Sequence, residues 1–396
     1  MELTKHRVLL VVFIAILVFS FLAVVFLNGV NLETPNTAQV VWQKNYGGSE
    51  DDRAFYALAN DQGYLAVGST KSVVENTTMG WAIQIDSEGN TIWNKTYLKG
   101  TGTELRYTLN LTDGYLLVGN EYIESNFANG LVVETDSEGT ERWRATIDRN
   151  PFDKLFSAIR APDGFILLGA TLTDDGYSVG WAVKIDPHGQ VLWNKEYLDG
   201  ADSTLRQGVL APDGSYICVG FTKVDDYQFS VLKIDPTGEL LWNRTYGQKS
   251  SQKAYSITKA ADGFIVVGDK VSLQSDSDAW VIKVDWNGSL LWEKTLGGKG
   301  ADSAAVVSHS EDGNYLVTGF TFSYGKGNRD VWVFEISDQG NVVWNCTVGD
   351  SGYQEAYQVL DVGKNECLVV GWSDPPNEPA LIGKAQYDFY IAKLSP

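Results

Sequence analysis

The sequence predicts an all-β fold, a seven-bladed β-propeller of four-stranded blades, preceded by one N-terminal transmembrane helix. Three observations predict it. Tryptophan recurs at positions 42, 93, 143, 193, 242, 292 and 344, a period of 49 to 52 residues that marks one structural unit per copy. Composition is the second: 40 Gly, 13 Trp and 19 Tyr against 2 Met in 396 residues favour short strands and tight turns over helices. The third is an uncharged apolar run, Val8 to Leu27, that has no counterpart later in the chain.

Residues 1–7 form a short flank carrying Lys5 and Arg7. The run 8–27 that follows is 20 residues long, enough to cross a hydrocarbon core of roughly 30 Å as a helix. With basic residues before it and none after it until Lys44, the positive-inside rule places the N-terminus in the cytoplasm and everything beyond Leu27 outside. The expected location is therefore the cell membrane, single-pass, with an extracytoplasmic C-terminal domain. A retained signal anchor is the first reading and a cleaved signal peptide is its rival. Residues 28–39 are polar, contain Pro35 and lack periodicity, as a linker would.

The propeller is expected over 40–396. Six of the tryptophans end one invariant turn pattern, an acid or Ser, two residues, Gly, three residues, Trp, as in Asp186-Gly189-Trp193 and Asp285-Gly288-Trp292. A second landmark is Asp-Gly before an aromatic, as in Asp163-Gly164-Phe165, which supplies the backbone angles of a hairpin turn. Between these marks each unit divides into strands a, b, c and d, and every b strand ends in Gly, at 68, 119, 169, 220, 268, 319 and 371. A glycine recurring inside a strand predicts a close backbone approach at that point. The folded region opens with a d strand, Val40 to Tyr46, and ends with a c strand, Asp388 to Leu394. The N-terminal strand is therefore expected to complete the last blade and close the ring.

With these motifs the chain resembles the quinoprotein-like (PQQ-type) propeller repeats, and more closely the Gly/Asp-rich repeats of prokaryotic surface propellers. The shared elements are Thr237-Gly238 followed by Trp242, and Trp292-Glu-Lys-Thr-Leu-Gly-Gly leading through Asp302 to Asp312-Gly313. The resemblance implies that Trp42, Trp93, Trp143, Trp193, Trp242, Trp292 and Trp344 each pack against a neighbouring blade. Two departures, an acid one residue nearer the Gly and no adjacent cysteine pair, leave no cofactor expected.

Charge narrows the partners. Lys and Arg number 31 against 50 Asp and Glu, a net −19, so nucleic acid is excluded as a partner by repulsion. Cys218, Cys346 and Cys367 lie too far apart for a thiolate motif and read as buried strand residues. No catalytic or metal-ligating set is expected, since GxSxG, HExxH, P-loop and complete EF-hand patterns are all missing. The a-to-b and c-to-d turns are tight, whereas the b-to-c and d-to-a loops are long and dissimilar, so binding is expected on the long-loop face. Ligand-binding candidates there are Asp52, Asp153, Asp202, Asp302, Tyr324 and Trp372, the last as an exposed contact opening the longest loop. The competing reading of these acids is a solvated rim. Asn76 and Asn287 are the accessible N-glycosylation candidates. The leading expectation is a binding or scaffold module for an extracellular protein or polysaccharide. Its alternative is a propeller enzyme, either a quinone-type dehydrogenase or a polysaccharide-cleaving enzyme.

Overall fold

The computed structural model describes residues 36–37, 39–74, 76–124, 127–197, 201–247, 250–271, 276–374 and 387–395. The flank 1–7, the apolar run 8–27, most of the expected linker and the proline-bearing loop 375–386 lie outside the described residues. Among the described residues no helix is long and apolar enough to cross a membrane.

Seven antiparallel sheets form the domain, six of them from consecutive strands, at 52–97, 102–147, 154–197, 201–246, 252–296 and 302–348. Blade 1 has a as Asp52–Asn60, b as Gly63–Thr70, c as Met79–Ile85 and d as Thr91–Tyr97. Strands b and c are continuous apolar runs because both their faces are covered by neighbouring blades; strand d alternates and stays half exposed. Blade 7 takes a, b and c from Gln354–Asp361, Cys367–Ser373 and Asp388–Ser395, and its d strand is Gln39–Tyr46 from the other end of the chain. Trp42 stands opposite Lys393 in that pairing, so the expected closure is present. The N-terminal segment differs from the expected linker in one respect. Asn36–Thr37 pairs in parallel with Cys346 and Thr347, adding a fifth strand to blade 6 before the chain crosses to blade 7.

The recurrent tryptophans lock successive blades. The ring of Trp93 covers Gly139 of the next blade so closely that a Cβ there would lie 2.7 Å from it, and Trp42, Trp143, Trp193, Trp242 and Trp292 cover Gly89, Gly189, Gly238, Gly288 and Gly340 in the same way. Each of these glycines has a positive φ, between 74° and 87°, so the turn and the ring both require it. Trp344 has no such turn to cover, because the chain ends fall there, and it packs on the blade 6–7 core with Cys346, Cys367 and Leu394. The turn acids accept hydrogen bonds from their own loops: Asp86 Oδ1 takes the amides of Glu88 and Asn90, and Asp235 Oδ1 those of Thr237 and Glu239. The three cysteines are buried thiols without a disulfide, and burial pushes Cys346 up to about 12.

Strand a is innermost, as Asp52–Asn60, Gly102–Leu111, Lys154–Ala161, Ala201–Leu210, Gln252–Ala260, Asp302–His309 and Gln354–Asp361 in blades 1 to 7. All seven carry a β-bulge at the same register, where two residues of a oppose one of b. This break explains the glycine at each b strand. A Cβ at Gly68 would sit 1.8 Å from the Arg53 carbonyl oxygen, and at the other six glycines 1.9 to 2.0 Å from the equivalent carbonyl.

Candidate functional site: the mouth of the central channel

The extra residue of each bulge leaves the ladder and turns toward the axis of the ring. In blade order these residues are Phe55, Arg106, Phe156, Arg206, Tyr255, Ala305 and Tyr357. Together with residues just after the b-strand glycines, such as Asp269 and Phe320, they line a cavity of about 360 Å³ near the long-loop end of the channel. Packing positions repeat from blade to blade, but the bulge position does not.

Cations gather here in a chain of net charge −19. The guanidinium of Arg106 lies 4.0 Å from the centre of the Phe55 ring and pairs with Glu104 at 2.8 Å. Arg329 lies 3.6 Å over Phe320 and pairs with Glu355 at 2.9 Å. Arg53, 4.6 Å over Tyr387, pairs with Asp51 at 3.2 Å. Arg206 is different. It stacks 4.2 Å over Phe156, with Phe221 and Tyr255 at 5.7 and 6.0 Å, and forms no ion pair among the described residues. Burial without a counter-charge pulls its pKa down to about 10. The Nε atoms of Arg106, Arg206 and Arg329 have no acceptor among the described residues.

Two carboxylates share the wall. Asp269 accepts hydrogen bonds from Ser303 Oγ at 2.5 Å and Tyr255 Oη at 2.8 Å, yet desolvation raises its pKa to about 6. Burial likewise raises Glu355, against the opposing pull of Arg329. The phenols of Tyr255 and Tyr357 are held neutral by burial and these acids.

Of the expected ligand-binding residues none lines this cavity; Trp372 touches the lining residue Tyr357 but is only 5% exposed, so it is not the open contact that its loop position predicts. Its ring packs at a tilt of 57° against Tyr387, with centroids 4.2 Å apart, and its Nε1 donates to Tyr357 Oη at 3.2 Å. Asp52, Asp153 and Asp302 are fully buried rather than set on an open acidic rim. Each serves its own loops: Asp52 accepts from Gly48 N and Ser72 Oγ, Asp153 from Asn150 N and Thr171 Oγ1, and Asp302 from Gly298 N and Ser323 Oγ. A d-to-a loop that turns back into the sheet needs an acceptor for its amides, and these side chains provide it. Tyr324 is half-buried and donates to Gly297 O at 2.8 Å, tying the same loops together. Asp202 alone is exposed, with Tyr227 donating to it. Asn76 and Asn287 are exposed.

The bulge residues were open to sequence reading in one way. Each stands 13 or 14 residues before the recurrent b-strand glycine, so aligning the copies on that glycine, with one extra turn residue allowed in blades 4, 6 and 7, brings the Phe, Arg, Phe, Arg, Tyr, Ala, Tyr series into one column.

No protein-family model matches this sequence, and no curated protein does. Among solved structures the chain is similar to the WD40 domain of Neurospora crassa Pan2, with 12% identity, a TM-score of 0.55, and coverage of 90% of this chain and 97% of that one. It is similar to Sqt1 from Chaetomium thermophilum at 10% identity and a TM-score of 0.51, over 91% of this chain and 99% of the other. A protein of unknown function from Dyadobacter fermentans shares 12% identity at a TM-score of 0.51, over 90% and 98% of the two chains. At such identities the likeness is one of fold. The chain is a seven-bladed propeller, and the quinoprotein resemblance holds at that level and no finer.

Proposed function

We propose that this protein is a membrane-tethered, extracytoplasmic binding module that receives part of an extracellular protein or polysaccharide at the mouth of its central channel. The observation that carries this reading is Arg206. An arginine stacked between aromatic rings and lacking a carboxylate partner is costly to keep unless something else pairs with it. Variation supports the same reading, since a position that differs from blade to blade while the packing residues repeat is one that packing leaves open. The tether rests on the apolar run Val8 to Leu27 and on Lys5 and Arg7 ahead of it.

A glycan array and immobilised surface proteins, probed with the detergent-solubilised full chain and with Arg206→Gln, test the binding role. Binding that Arg206→Gln removes agrees with it; binding indifferent to that change places the ligand elsewhere. Retention of the host-made chain on membranes after a carbonate wash tests the tether, and a mature N-terminus between Asn28 and Gln39 would replace the anchor with a signal peptide.

A polysaccharide-cleaving enzyme is the second reading. It is favoured by Asp269 and Glu355, two carboxylates on the wall of one cavity, where burial raises Asp269 to about 6, as a general acid requires. Release of reducing ends from a bound glycan, abolished by Asp269→Asn, would select it.

A further inference from the structure

We infer that the group received at the channel mouth is a single carboxylate borne on a polyhydroxylated ring, an acidic sugar, with its anion on Arg206 and its flat face against the neighbouring aromatics. This rests on the reading of the mouth as the binding site and adds the chemistry of the ligand.

Charge comes first. Arg106 and Arg329 each have a carboxylate partner, whereas Arg206 has none among the described residues. Its nearest charged neighbours include Arg106, whose field adds to its own. An anion placed there meets a guanidinium already desolvated and already oriented by its stack on Phe156, so little ordering entropy remains to be lost. A planar carboxylate matches the donor fork of a guanidinium.

Shape and polarity come next. The cavity, about 360 Å³, lies near the lower end of the size range of small-molecule sites, so it admits a small molecule or the end of a chain and not a folded partner. Its wall alternates ring faces, Phe156 and Tyr255, with hydroxyl and amide groups, Ser157 and Gln207. A sugar ring offers the matching pattern, C–H faces for the rings and hydroxyl edges for the polar groups.

Long-range charge then separates a chain end from a polyanion. The protein carries −19, so an extended polyuronate would be repelled as it approached even as its terminal unit was attracted at the mouth. Binding should therefore be best for a monouronate or a neutral glycan ending in one, and it should not improve with the length of a polyuronate.

The test is titration of the full chain, in detergent, with glucuronate, galacturonate, trigalacturonate, the methyl glycosides of glucose and galactose, and acetate, followed by calorimetry. The expected result is saturable binding of a uronate, not of the neutral glycosides or acetate. Arg206→Gln should weaken that binding by roughly 10- to 100-fold, the scale of one charge-assisted hydrogen bond or more. Arg206→Lys should restore part of it. Unchanged melting in both variants keeps the comparison one of binding. If a neutral glycoside binds and Phe156→Leu weakens it while uronates do not bind, the mouth is the site and the acidic-sugar inference is overturned. Acetate binding as well as the uronates would overturn the sugar part. If nothing in the panel binds, or if uronate binding ignores both Arg206→Gln and Phe156→Leu, the inference fails together with the assignment of the mouth.

Discussion

Replacing Gly220 by alanine should unfold this protein more readily than its conservative nature suggests. Gly220 lies inside strand b of blade 4, Tyr216–Lys223, rather than at its end as the sequence predicts, and stands opposite Leu205, at the bulge that projects Arg206. A Cβ there would lie 1.9 Å from the Thr204 carbonyl oxygen, 2.8 Å from its carbon and 3.1 Å from Leu205 Cα. All three are backbone atoms, so no side chain can rotate away. The φ at Gly220 lies outside the left-handed region, so alanine itself fits the local conformation and gains the usual entropic advantage over glycine. Relief must come from strand a backing off by about 1 Å or more, which overpacks the facing blade and strains the ladder bonds on either side. Overpacking of this kind costs about 1 to 3 kcal/mol and each ladder hydrogen bond lost adds about 1 kcal/mol, so the expected loss is about 3 to 5 kcal/mol. Gly214 is the control. It lies in the a-to-b turn of the same blade with φ 83° and nothing within 4 Å of an added Cβ, so alanine there should cost only the left-handed penalty of about 1 to 2 kcal/mol. Urea unfolding of both variants, followed by circular dichroism, makes the comparison. A Gly220→Ala protein no less stable than Gly214→Ala would refute the bulge argument.

Three further outcomes are expected. Trp193→Ala removes the ring that covers Gly238 and the Nε1 bond to Pro236 O, and should cost about 3 kcal/mol in urea unfolding, near the lower end for aromatic truncations; a loss under about 1 kcal/mol would deny the blade-locking role. Asp269 has a folded pKa of about 6, above its unfolded value, so it holds its proton longer in the folded state; stability should fall as pH rises from about 4 to about 6, by at most about 3 kcal/mol, and Asp269→Asn should abolish that decline. An identical pH profile in wild type and variant would count against it. Ala305 is the one small residue at the bulge register, so Ala305→Phe should narrow the mouth and block uronate binding while leaving the melting temperature within about 2 °C of wild type; undiminished uronate affinity in that variant would show that the ligand does not enter there.

The blade architecture was legible because it is written in spacing. A tryptophan every 50 or so residues, an acid three residues before a glycine, and a glycine recurring within each b strand are all one-dimensional signals of one three-dimensional unit. Ring closure followed from phase alone. The site was less legible, for two physical reasons. First, a bulge is a register event, and which residue becomes the extra one depends on how two strands pair; nothing local to Phe55 or Arg206 announces it. Second, the loop acids were weighed by exposure inferred from loop position. Asp52, Asp153 and Asp302 stand where Thr103, Gln252 and Gln354 stand in other blades, all side chains able to satisfy loop groups. That recurrence of side chains bonding within their own loops marks a cap, by the reasoning that identifies the turn acids as structural.

The same register break serves the scaffold and the site. A strand that kept strict alternation would present its residues to one blade face or the other, and a residue aimed at the axis would have to be taken from the packing set. Inserting one residue into strand a frees a side chain from both faces, and the glycine opposite absorbs the displaced carbonyl. The freed position can then hold Phe, Arg, Tyr or Ala without disturbing the tryptophan and glycine contacts that hold the ring. Hence the innermost strands of an acidic, repetitive protein can carry an unrepeated, cationic and aromatic lining. On the proposed reading, selectivity at this mouth would be set by seven side chains that the fold does not constrain, and among them Arg206, with no ion pair among the described residues, would fix the sign of the charge received.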